Sequence, residues 1–150
     1  MSAPVGGRPS ARQVAGLRRA SLAAFVLLVV QYGIGIAVNL YVTVPKADHG
    51  QSFGKIISTG PAGLTVHIVL GLLLILAAIG LVVQAAIARH RALILTSVIG
   101  LLALAGAAAQ GASFVDNGHP SASMVMAVLT GVAILSYGAS LYLLGRPGQS

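Results

Sequence analysis

The chain has no cysteine, and only two of its 150 residues, Asp48 and Asp116, are acidic. Without cysteine there are no disulfides and no thiolate ligands for zinc, copper or iron-sulfur clusters, so any metal or cofactor must be held by His, Met or oxygen donors. Both carboxylates fall between long apolar blocks, so none lies inside such a block to relay protons. There is no glycine-rich phosphate loop and no Ser-His-Asp constellation, which leaves nucleotide chemistry and hydrolysis without machinery. Charged residues make up 7% of the sequence.

What remains is apolar. Hydrophobic residues make up 57%, a balance that no water-soluble domain of this length could present without precipitating. They fall into four blocks at about 20–44, 62–88, 92–115 and 121–144, each above the roughly 20 residues needed to cross hydrocarbon. The fold class expected is all-α: an integral membrane four-helix bundle running up-down-up-down, over 17–145. Residues 1–16, rich in Gly, Pro, Ser and Arg, read as a flexible cytoplasmic tail. The first block follows arginines, as a signal peptide would, but it is long and lacks a small-x-small cleavage site, so it is expected to be retained.

The net charge of +7 does not point to nucleic acid, because the charges alternate with the loops. With four spans, Arg8, Arg12, Arg18, Arg19, Arg89, Arg91 and Arg146 share one side, while Lys46, Lys55, Asp48 and Asp116 share the other. The positive-inside rule then places both termini in the cytoplasm of a multi-pass cell-membrane protein, with anionic lipid headgroups as secondary partners of the arginines. The segment PKADHGQSFGKIISTGP is the long outer connection, and Phe53, Ile56 and Ile57 would fold it back onto the membrane surface as a lid. The other connections are short, so consecutive helices are expected to be antiparallel neighbours.

Polar side chains inside spans are costly, and here they cluster by depth. At about 1.5 Å per residue, Asn39, His67 and Gln110 each lie roughly 7 to 8 Å inside the outer boundary. Positions four apart share a helix face, so Gly63 and Gly71 bracket His67 on the second span, as Gly35 stands beside Asn39 on the first. His119 stands at the outer start of the fourth span, before Pro120, with Ser123, Met126 and Thr130 below it on one face. Two explanations compete. Small residues with Gln, Asn or His bonded across a seam are the ordinary means of helix packing in membranes, and they account for Gln31, Gln84, Tyr137 and the glycines of 100–111. A b-type haem, a flat apolar plate needing one or two axial ligands and small residues against its faces, accounts better for a histidine between two glycines. On that reading His67 and His119 are the axial metal ligands. Met126, at the depth of His67, is the alternative to His119, and Lys46 and Lys55 are the cations available to the propionates.

The run VVQYGIGIAVNLYV, the second-span histidine in GLTVHIVLG, the run AGAAAQGASFV and the fourth-span histidine in GHPSASMVMA together resemble one four-helix half of the haem A synthase family. The resemblance covers about 25–130 and implies a bundle whose second and fourth helices carry the two axial histidines, here His67 and His119, facing a b-type haem at the outer side. The family's glutamate shortly before the second-helix histidine is replaced here by Gly63 and Leu64, and its outer-loop cysteine pair has no counterpart. The expectation is therefore haem binding for electron transfer or haem handling, with a redox protein or quinone as partner. Assembly as a homo-oligomer or as a subunit of a larger membrane complex is also compatible with the sequence. The competing expectation is a cofactor-free accessory subunit or small-molecule carrier with a polar seam in its outer half. An enzyme acting on haem or a quinone is the third.

Overall fold

A computed structural model describes residues 11–42, 53–117 and 120–145, and every element among them is helical. In chain order these are α1 (Ala11–Tyr41), α2 (Phe53–Thr59), α3 (Ala62–Ile87), α4 (Arg91–Asn117) and α5 (Pro120–Gly145). The four long helices have 26 to 31 residues and are apolar enough to cross a membrane. At 1.5 Å per residue each exceeds a hydrocarbon core of about 30 Å. Their outer faces carry exposed Leu, Val and Ile, among them Leu27, Val30, Leu73, Leu76, Leu102 and Leu135, as lipid contact requires.

α1 starts at Ala11, so 11–16 belong to a helix rather than to the expected tail; residues 1–10 lie outside the described part. Hydropathy marks where a helix enters hydrocarbon, and Ala11, Arg12, Gln13 and Ala15 are good helix formers that carry the coil beyond that point. The helix starts follow local chemistry. Pro61 caps α3 from an extended conformation, and Pro120 is the first residue of α5, where its missing N–H costs nothing. The turn between α3 and α4 is made by Arg89, left-handed at φ 53°, and by His90, whose Nδ1 accepts the Leu93 N–H at 3.4 Å.

The long helices pack as a ring, with α1 against α3 and α5, and α4 against α3 and α5, the last pair sharing the most extensive contact. Close approaches give the registers. On α1 and α3, Gln31 meets Gly71, Gly35 meets His67, and Val38 meets Gly63. On α4 and α5, Thr96 bonds Ser140, Gly100 meets Tyr137, Gly106 meets Leu129 and Gly111 meets Met126. On α1 and α5, Phe25 meets Gly138 and Asn39 bonds Ser123. In each pair one number rises as the other falls, so these neighbours run antiparallel.

Each helix contributes a stripe with alternating three- and four-residue steps, the spacing of a left-handed bundle seam. On α3 it reads Leu64, His67, Gly71, Leu74, Ala78, Leu81, Ala85. The main core joins Ala24, Leu28, Leu74, Ala78, Leu81, Ala103, Leu104, Ala133 and Tyr137. A second cluster, Leu17, Ala85, Ala88 and Leu93, closes the end where the arginines lie. The opposite end is closed by Ile56 of α2 with Leu64 and Val115, packed against Val38 and Ile68. α2 therefore packs onto this end of the bundle, with Ile56 inserted and Ile57 only half-buried.

Candidate functional site

Between the main core and the Ile56 cap the buried stripe lapses on all four long helices at one level. On α3 no residue between Leu64 and Leu74 is buried, on α4 none between Ala107 and Val115, and on α5 none between Ala122 and Ala133. On α1 none beyond Gln31 is buried. The registers bring these stretches together: Met126 lies on Gly111, Gly35 lies on His67, and Leu64 shares a cluster with Val115. The cause is in the sequence. This layer holds Gly35, Gly71 and Gly111, which have no side chain, with the polar His67 ring and the flexible Met126 thioether.

The His67 imidazole sits on α1. Its Cε1 is 2.9 Å, and its Nδ1 and Nε2 are each 3.6 Å, from where a Cβ on Gly35 would stand. Beside it, the Gln31 amide Nε2 donates to the His67 carbonyl oxygen at 2.6 Å. His67 Nδ1 and Gln31 Oε1 are both buried and make no hydrogen bond among the described residues. An unpaired buried polar atom is costly, and two in one layer mark a place where a further group would be favoured.

The expected site residues are placed as follows. A Cβ on Gly63 would stand 3.7 and 3.6 Å from the side chains of Val38 and Val42, and one on Gly71 3.3 Å from Gln31 Nε2, so the space that these glycines leave beside His67 is taken up by α1. The glycine that cradles the imidazole is Gly35, on the opposite helix. Asn39 is exposed, and its Oδ1 accepts from Ser123 Oγ at 3.0 Å, bonding α1 to α5 at the margin of the layer. Gln110 is half-buried within the layer. Met126 is also half-buried, with its Sδ 3.2 Å from the Cβ position of Gly111, and its carbonyl accepts from Thr130 Oγ1 at 2.9 Å. Lys55 is exposed on α2. His119 and Lys46 lie outside the described residues, as do His49 and Asp48.

Gln31 and Gly111, which the sequence pattern gives to packing, border this site: Gln31 bonds the His67 backbone carbonyl and Gly111 lies against the Met126 thioether. The signal available for Gln31 is its step of four from Gly35 along the α1 stripe. Among the described residues no three His, Asp or Glu side chains come together as a set that could hold a metal ion. The groups that this layer could offer to a metal or cofactor are the His67 imidazole and the Met126 thioether, with the Gln31 and Gln110 amides beside them.

No family model matches the chain, and no curated protein or solved structure is found to be similar to it. The functional reading therefore rests on the site.

Proposed function

We propose that this chain crosses the cell membrane four times, up and down with both termini in the cytoplasm, and holds a b-type haem in the outer half of its bundle. The observation that carries the reading is the shared lapse of the buried stripe, with His67 on it and the imidazole Nδ1 buried without a partner among the described residues. His67 would be one axial ligand. His119 would be the second, with Met126 as the alternative, and Lys46 and Lys55 would meet the propionates. Bound between two axial ligands, a haem supplies one-electron exchange, which suits electron transfer or haem handling with a redox protein or quinone. The chain's own part is to seat the imidazole on Gly35, to hold the His67 backbone against α1 through the Gln31 amide, and to keep water off the layer with the Ile56 cap.

An absorption spectrum of the protein purified after expression with haem supplied, oxidised and then reduced with dithionite, tests this. A Soret band with sharpened α and β bands on reduction is expected, lost in His67→Ala. A featureless visible spectrum would sink the haem.

A second reading has its own support: the Gln31 amide on the His67 carbonyl, with α1 seated in the Gly63 and Gly71 positions, is an ordinary polar seam. On that reading the chain is a cofactor-free accessory subunit or small-molecule carrier. His67→Ala would then change stability alone, with no spectroscopic consequence.

A further inference from the structure

At the other end of the bundle, away from α2, a half-open groove lies between α1 and α3, lined by Gln13, Gly16, Leu17, Gln84, Ile87 and Ala88. Its wall is mixed in a particular way. Leu17, Ile87 and Ala88 supply apolar surface, Gly16 leaves room, and Gln13 and Gln84 supply amides. Exposed arginines stand at the same end: Arg12 is one turn before Gly16 on α1, and Arg89 directly follows Ala88 in the left-handed turn. Arg18, Arg19 and Arg91 are exposed nearby in sequence. Neither acid of the chain lies in α1, α3 or the turn between α3 and α4, since Asp48 precedes α2 and Asp116 is in the last turn of α4. Such a groove suits an occupant that is apolar along its length and anionic at its head.

We propose that this groove binds an anionic phospholipid, one acyl chain lying against Leu17, Gly16 and Ile87, and the phosphate meeting Arg12 and Arg89. The apolar groove without the arginines would take any lipid, and the arginines without the groove would only gather a diffuse layer of anionic headgroups; together they select. The site is independent of whatever occupies the outer layer.

Native mass spectrometry of the purified full chain in detergent, titrated with phosphatidylglycerol or phosphatidylcholine, tests the proposal. One phosphatidylglycerol is expected to stay bound where phosphatidylcholine does not. Arg12→Gln and Arg89→Gln are each expected to weaken it about fivefold, the effect of removing one cation near an anionic headgroup. Gly16→Leu distinguishes the groove from general surface charge. No atom lies within 4 Å of a Cβ built there, so the helix accepts the side chain, while its bulk fills the groove at unchanged charge. Loss of the bound lipid in Gly16→Leu, with helicity intact by circular dichroism, supports the site. Equal retention of both lipids, undiminished binding in Gly16→Leu, or displacement of the lipid by millimolar inorganic phosphate would each overturn it.

Discussion

The imidazole of His67 rests on the backbone of Gly35, with Cε1 2.9 Å from the point where a β-carbon would be. A methyl group at that point has no room unless the ring moves. Gly35→Ala is therefore expected to cost about 1 to 3 kcal/mol by overpacking, read as a lower thermal midpoint in detergent. The same change in a His67→Ala background should be close to neutral, because the atom it strikes is gone, giving a coupling of at least about 1 kcal/mol in the double-mutant cycle. Where haem is bound, Gly35→Ala should also weaken the low-spin spectrum, since the ligand is turned from its seat. Additive stability losses would show that the contact does not exist.

Met126 tests the choice of second ligand. Its sulfur is directed to Gly111 on α4, 3.2 Å from that residue's Cβ position, so ligation would require the side chain to leave this contact. Met126→Leu keeps nearly the same volume and removes the thioether, at an expected cost below about 1.5 kcal/mol. With His67 and His119 as the axial pair, the reduced α and β bands should persist in Met126→Leu and vanish in His119→Ala. The opposite pattern would transfer the ligand role to Met126.

These residues also show what could be read from the chain alone. Counting residues from the block ends sets Asn39, His67 and Gln110 at one depth, with Met126 level with His67; the structure places Met126 against Gly111, the neighbour of Gln110, and His67 against Gly35, one turn before Asn39, while Asn39 itself bonds Ser123. Helix rise is nearly constant, so depth transfers well from sequence. The partner across a seam does not. Gly63 and Gly71 read as cleared space beside His67, yet Val38, Val42 and Gln31 of α1 occupy it, because spacing along one helix says nothing of what its neighbour inserts. Likewise, Ile56 and Ile57 together signal a loop that folds back, but which of them is inserted depends on the phase of a seven-residue helix too short to show a period of its own. The length of α1 was hidden for another reason, since arginines end a hydropathic block without ending a helix.

In the main core, the ring of Tyr137 lies over Gly100, with Cζ, Cε2 and OH 2.8, 2.9 and 3.1 Å from the Cβ position. Tyr137 is 1% exposed, so the ring has nowhere to retreat, and Gly100→Ala should destabilise by about 1 to 3 kcal/mol. Its hydroxyl is buried and has no hydrogen-bond partner among the described residues. Removing an unsatisfied buried hydroxyl removes its desolvation cost, so Tyr137→Phe should raise the thermal midpoint, by the equivalent of about 1 kcal/mol or more. A lower midpoint would mean that the hydroxyl has a bonding role.

The short helix α2 caps the histidine layer. Ile56 is 3% exposed and is the buried residue by which α2 joins the Leu64 and Val115 cluster, while the Ile57 carbonyl accepts from Thr65 Oγ1 at 3.3 Å. A Cβ on Gly60 would collide with the Ile56 carbonyl oxygen, so the close turn that leads from α2 into α3 depends on glycine. Ile56→Ala deletes most of the apolar contact that docks α2, a loss of about 2 to 5 kcal/mol for a buried isoleucine. That exceeds what one short helix can spare, so α2 should detach while the four long helices stay packed. Trypsin should then cut at Lys55, already exposed on α2, at least several-fold faster than in the unaltered protein, with the thermal midpoint of the bundle little changed. If haem occupies the layer beneath, the same variant should lose it faster to an acceptor such as apomyoglobin. Gly60→Ala should have the same two effects by a different route, since it strains the turn and leaves the Ile56 side chain intact. Unchanged proteolysis in both variants would show that α2 is held by contacts other than the Ile56 side chain.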